Sequence, residues 1–155
     1  MGHVYQQNDK GEYVKLDLSF CFTQVYKNAY KVISKLKTAS SLHLLFWVIT
    51  NMDEYNTVKL RKKEKLKFSI DYRLQNRNLY SISTINKAIK DLVENDILVS
   101  QSIENERLGS YTVNPIYFWI GENQNERKQF IIETLKFKQI KKNEENRIQH
   151  EEKNH

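Results

Sequence analysis

The spacing of hydrophobic positions changes several times along this chain, and each change marks an element. "EYVKLDLSF" (12–20) sets Tyr13, Lys15 and Asp17 against Val14, Leu16 and Leu18, the period of two of a half-buried strand. From Thr23 the period lengthens. Val25, Ala29, Val32, Ile33 and Leu36 share one face of a predicted helix that ends near Lys37. The polar cluster "TASS" (38–41) follows, with Ser40 or Ser41 able to cap a second helix. That helix, "LHLLFWVITNM" within 39–53, is apolar almost all round and should lie at the centre of the fold. "NTVKL" (56–60) reads as one short strand. Between 61 and 77 the pattern supports two readings. Leu66, Ile70 and Leu74 fall on a helical face, whereas "KFSIDY" alternates as a strand would; helix is the preferred reading.

The next stretch, "YSISTINKAIKDLVENDIL" (80–98), is more decisive. At 100° per residue, Ile82, Ile85, Ala88, Ile89, Leu92 and Val93 occupy one half of a helix over 82–95. Ser83, Thr84, Asn86, Lys87, Lys90, Asp91 and Glu94 occupy the other. The polar half is sorted along its axis, with hydroxyl, amide and ammonium groups first and carboxylates last. Ser81 or Ser83 can cap it. Two β-prone runs, "ILVSQ" (97–101) and "YTVNP" (111–115), then flank the Gly-containing "SIENERLGS", which is the signature of a hairpin over 97–114. The aromatic "IYFWIGEN" closes this region. Phe130, Ile131, Leu135 and Ile140 predict a last helix over 124–142, and from Lys141 the chain is almost wholly charged or amide and is expected to fray.

These elements describe an α+β chain, mainly α with a small β-hairpin. An arm over 1–22 carries the first strand, a domain spans 23–121, and a helix with a charged tail fills 122–155. Helix, strand, helical segment, helix and hairpin, in that order, is the layout of a winged helix-turn-helix domain with an N-terminal arm and a C-terminal helix. The first helix is 39–53, the recognition helix 82–95 and the wing 97–114, with Arg107 and Ser110 at its tip.

Composition narrows the setting. Only 4 Gly and 1 Pro among 155 residues favour helices over a turn-rich sandwich. The longest apolar run, Leu42–Thr50, is too short to span a bilayer. The polar start "MGHVYQQNDKGEY" does not resemble a signal peptide. Cys21, the one cysteine, has no internal disulfide partner, so a reducing cytoplasm is the expected location and no membrane association is expected.

The formal charge of +6 is concentrated in one segment. Residues 59–77 hold Lys59, Arg61, Lys62, Lys63, Lys65, Lys67, Arg73 and Arg77 against Glu64 and Asp71, a surplus equal to that of the whole chain. A solvated loop would show the same run. Beside a helix whose front end is rich in donors, however, the run reads as the footprint of a polyanion, and double-stranded DNA is the expected partner. Asn86 and Lys87 suit base edges, Asn for adenine and Lys for guanine. Ser81, Ser83, Thr84, Lys90, Arg107, Ser110 and the cluster Arg61, Lys62, Lys63, Arg73 and Arg77 suit phosphates, which position a protein without reading sequence. Two copies pairing through helix 24–37 or 124–142 would suit two half-sites.

Signals for other chemistry are weak. "QHEEKNH" (149–155) looks like a zinc motif, but His150 and His155 are five apart and would not share a helical face. Cys21 has no nearby His and sits in an apolar run. There is no Gly-rich phosphate loop and no nucleophile elbow. Tyr117, Phe118 and Trp119 could stack on bases, but packing against the helices is the preferred reading. No enzyme chemistry, metal or other cofactor is expected.

"SISTINKAIKDLVENDILV" followed by "YTVNPIYFWIGE" resembles the RepL-type plasmid replication proteins of bacteria, over roughly residues 24–135. Val113-Asn114-Pro115 with Tyr117-Phe118-Trp119 and Gly121 is the more specific part. The long basic segment 61–79 departs from the pattern of that family. The resemblance implies a DNA-binding protein that acts in replication initiation or plasmid maintenance by holding origin DNA and recruiting host replication proteins. A winged-helix transcriptional repressor would need the same contacts, and a protein-interaction module remains a third reading.

Overall fold

The computed structural model describes residues 5–15, 23–72, 79–100, 102–121 and 123–153. It is an α+β fold of six helices and seven short strands among those residues. The N-terminal alternation does form strand: β1 (Tyr5–Gln7) pairs antiparallel with β2 (Tyr13–Lys15), Gln6 opposite Val14. The alternating stretch beyond Lys15, with Cys21, lies outside the described residues.

The helix expected over 23–37 is not present as such. Thr23–Val25 is strand β3, and only Ala29–Ile33 is helical (α1). The physical reason is a long-range partner. β3 pairs antiparallel with β7 (Phe118–Ile120), and Thr23 Oγ1 donates to the Ile49 carbonyl at 2.8 Å. Tertiary hydrogen bonds here override a helical period carried by few residues. Ala29 and Val32 still face the core, while Val25 is exposed.

Helix α2 (Ala39–Asn51) is the hub, with Leu44, Leu45, Trp47 and Val48 buried. Its cap is Thr38 rather than either serine: the Thr38 hydroxyl accepts the Ser41 N–H at 3.1 Å and contacts both serine hydroxyls. β4 (Thr57–Lys59) leads to α3 (Lys62–Asp71), so the ambiguous basic stretch is helical as far as Asp71, while its end, with Leu74, lies outside the described residues. The buried face of α3 is not the expected one. Phe68 and Ser69 point inward, while Leu66 and Ile70 are exposed. The aromatic ring decides this, since Phe68 stacks on Tyr80 and meets the edge of Trp47.

Helix α4 (Ile82–Glu94) packs on α2 through Ile85, Ala88, Ile89 and Leu92. Two positions break the helical-wheel pattern. Ile82 is exposed, and Asp91, placed on the wet half, is buried. The Asp91 carboxylate accepts the Lys37 backbone N–H at 2.9 Å and the Asn95 amide at 3.1 Å, so it clamps the α1–α2 link to α4. Burial is tolerated because the charge is hydrogen-bonded.

β5 (Leu98–Val99) and β6 (Ser110–Val113) form the expected hairpin, and β4 adds to it in the order β4-β6-β5. Its connection is not a bare loop, because α5 (Ile103–Arg107) folds there. Gly109, at φ +65, ends that connection; a Cβ there would sit 3.2 Å from the Leu60 carbonyl. Asn56 holds the sheets together from a buried, left-handed position. The last helix, α6 (Gln124–Lys153), runs about ten residues beyond the expected end at 142, and the tail expected to fray is helical through Lys153. Among the described residues no helix is long and apolar enough to cross a membrane.

Candidate nucleic-acid interface

The front of α4 is built by its cap. Ser81, in extended conformation, accepts the Thr84 N–H at 3.1 Å, and its hydroxyl lies 2.9 Å from that of Thr84. These two hydroxyls therefore serve each other and the helix end. Ser83, Asn86 and Lys87 are exposed on the following turns. A contact from the neighbouring helix then selects one of them: Lys65 Nζ on α3 donates to Asn86 Oδ1 at 2.8 Å.

That contact lies in a trough of about 530 Å³ between α4, the start of α3 and the β5–β6 connection. Arg61, Lys65, Lys90 and Arg107 reach it from three separate parts of the chain, and among the described residues no carboxylate lines it. Arg61 precedes the first turn of α3, where Glu64 accepts its backbone N–H at 3.2 Å, and its side-chain Nε–H donates to the Leu108 carbonyl at 3.1 Å. Those bonds tie the cationic end of α3 to the hairpin. Arg107 is exposed at the end of α5.

A second cleft, of about 430 Å³, lies on the other flank of α4 against the start of α2. Lys87 and Lys90 line it with Lys37, Thr38, Asp91 and Glu94. Its charges are largely spent internally. Glu94 takes Lys37 at 3.0 Å and Lys90 at 3.7 Å. The Lys37 hydrogen bond and charge hold the Glu94 carboxyl below its ordinary value, and Glu94 holds the Lys37 ammonium above its own. Lys90, which lines both sites, is thus shared with Glu94, and Arg61, Lys65 and Arg107 carry the rest of the trough's positive charge.

The residues singled out from sequence divide accordingly. Arg61, Asn86, Lys90 and Arg107 come together in the trough, with Ser83 and Lys87 exposed on the same helix. Lys62 and Lys63 do not join them. They stand on the outer side of α3 beside Leu66, Lys67 and Ile70. Ser110 is not at the hairpin tip but inside the sheet, opposite Lys59. Arg73 and Arg77 lie outside the described residues. Phe118 and Trp119 are buried, which removes them from any exposed stacking surface. Lys65 was the missed residue. It belonged to the basic run, but its link to Asn86 spans 21 positions, and nothing in the local pattern signals it.

Behind α4 sits a polar cluster that fixes how the helix begins. His43 Nδ1 lies 2.6 Å from the Tyr80 hydroxyl, and Ser69 donates to the Tyr80 carbonyl at 2.9 Å. Burial pushes the Tyr80 phenol up from its usual value. His43 also stacks on Tyr72. The histidine is a hydrogen-bonded link between α2 and the start of α4. Among the described residues no group of His, Cys, Asp or Glu could hold a metal ion. No protein-family model, curated protein or solved structure matches this chain.

Proposed function

We propose that this chain is a winged helix-turn-helix protein that binds double-stranded DNA, with α4 in the major groove and the β5–β6 hairpin beside it as the wing. The observation that carries this reading is the trough, which Arg61, Lys65, Lys90 and Arg107 line together with Asn86 and which no carboxylate lines among the described residues. A helix fits a major groove about 12 Å wide, and its first turns meet the base edges. Asn86 and Lys87 are the base-reading pair on this face. Arg61, Lys65, Lys90 and Arg107 then take phosphates on the wing side, which sets the register of the helix on the duplex.

The likeness of the Val113-Asn114-Pro115 segment to RepL-type proteins makes origin DNA the first ligand to test. On that reading the protein holds the origin and recruits host replication proteins, with no catalytic step of its own. Titration of the purified chain against origin, promoter and unrelated duplexes at several salt concentrations tests it. Preference for the origin, with affinity falling steeply in salt, supports an initiator, because clamped phosphates release counterions. Preference for the promoter makes the protein a repressor instead. Absence of duplex binding at low salt overturns the DNA reading.

A further inference from the structure

The outer side of α6 presents a row of side chains spaced four apart: Ile132, Lys136, Ile140, Glu144 and Ile148. The three isoleucines are 46%, 55% and 53% exposed. The contacts that hold the helix to the domain fall about 80° to 160° around it from Ile140, and Phe130, in the first turns, shares its angle with Ile148 near the far end. Arg127 donates to the Pro115 carbonyl at 2.8 Å, Phe130 packs on Trp119, Thr134 is buried, and Lys138 pairs with Asp96. Lys142 and Glu145 still line a cleft against the hairpin, but from Asn146 to His150 every side chain is exposed, so the end of the helix has little of its own domain to rest on. A helix polar nearly all round and lacking packing is poorly stabilised in isolation.

Single exposed isoleucines are ordinary on a protein surface. Their order here is not arbitrary. Read from either end, the row is Ile, charge, Ile, charge, Ile, with the sign of the charges inverted. We infer that this face of α6 is a self-complementary dimer surface, on which two copies of the chain pair antiparallel about a two-fold axis at Ile140.

In that register Ile140 meets Ile140 of the second copy, each Lys136 meets a Glu144, and each Ile132 meets an Ile148. A two-fold contact must satisfy every pairing twice, and a row that inverts its charge about its own midpoint does so. The row turns by about 40° per step, so Ile140, Lys136 and Glu144 face the partner, with the outer isoleucines at the margins of the strip. Leu135 is also half exposed but falls about 140° from Ile140 and takes no part. None of these residues lines the α4 trough, so the pairing stands apart from the DNA reading.

Sedimentation equilibrium of the full chain tests it. The native protein is expected at twice its 18.6 kDa chain mass, and Ile140→Asp at the monomer mass with unchanged far-ultraviolet circular dichroism. Lys136→Glu alone and Glu144→Lys alone are expected to weaken self-association at least tenfold, by placing like charges together. Mixing those two variants should restore a dimer, since every pairing across the mixed complex again joins opposite charges. A native chain still monomeric at about 100 µM, where a complex with a Kd of about 1 µM would be nearly complete, overturns the inference. A dimer indifferent to Ile140→Asp, or a mixture that stays monomeric, overturns this face and this register respectively.

Discussion

Lys65 on α3 and Asn86 on α4 are joined by a 2.8 Å hydrogen bond from ammonium to side-chain oxygen, across 21 residues of sequence. The bond fixes the amide with its oxygen toward α3 and leaves the NH₂ group pointing elsewhere. A bidentate adenine contact needs one acceptor and one donor from asparagine, and the oxygen retains a second lone pair for it. On the DNA reading, Lys65 thus orients the group that would read a base while itself standing where a phosphate would pass.

The two residues should therefore fail differently. Asn86→Ala is expected to cost about 1–3 kcal/mol at one base pair and to leave affinity for unrelated DNA nearly unchanged. Lys65→Met should weaken binding to every duplex, lower the salt slope by about one, and blur the preference at the same base pair. Anisotropy titrations on a set of single-base variants of the best site separate these effects. Equal losses on all sequences for Asn86→Ala would remove it from base readout.

The split of the basic segment gives a second expectation. Arg107 and Lys65 line the trough, whereas Lys62 and Lys63 stand on the outer side of α3. Changing Lys65 and Arg107 together to Ala should reduce the salt slope by about two, while the Lys62, Lys63 pair changed to Ala should reduce it by less. The reverse ranking would place the outer side of α3 on the DNA and turn α4 away from it.

That split marks how far the sequence carries. Helix α4 was legible because thirteen residues hold one strong period and a serine stands at its cap. The central helix and the hairpin strands were legible for similar reasons. The segment at 23–37 was misread because its strand exists only through pairing with residues nearly a hundred positions later. Asp91 was misread because a wheel sees spacing and not the Lys37 N–H that makes its burial tolerable. Composition identified the cationic segment, but which lysines meet α4 depends on the rotation of α3, and that is set by Phe68 against Tyr80 and Trp47.

Glu94 offers a test through charge. Its carboxyl is held below the ordinary 4.5 by the hydrogen bond and charge of Lys37, with a smaller part from Lys90. A depressed carboxylate contributes stability above its unfolded value and loses it as pH falls through the folded one. The stability difference between native protein and Glu94→Gln should therefore be present at pH 7 and be lost as pH falls below the ordinary carboxylate range. At pH 7 the same change releases Lys37 and Lys90 from an internal partner. DNA affinity at low salt should then rise, with a salt slope steeper by up to about two. Unchanged binding would mean that neither lysine lies near a phosphate.

Asn56 carries the last prediction, and it concerns the frame that holds the hairpin. Its backbone sits at φ 58, a left-handed conformation that asparagine tolerates better than most residues. Its side-chain NH₂ donates to the carbonyls of Val113 at 2.8 Å and Phe118 at 2.9 Å, and its oxygen accepts the Ile120 N–H at 3.0 Å. One buried amide thus joins β6 to β7 and, through its backbone carbonyl, accepts the Val113 N–H at 2.7 Å. Asn56→Asp keeps the shape and the tolerance for positive φ but removes both donors, so a buried carboxylate would face two carbonyl oxygens. A loss of about 2–4 kcal/mol follows from the two donor bonds removed and a buried charge held by the Ile120 N–H alone. For a chain of this size that lowers Tm by roughly 5–15 °C. Because the cost lies in the ionised form, the deficit should shrink as pH falls toward the range in which carboxylates protonate. Thermal melts of the two proteins at pH 7 and at about pH 5 measure both effects. A deficit under about 1 kcal/mol at pH 7 would mean that water reaches this site and that the two donor bonds of Asn56 contribute little to the frame.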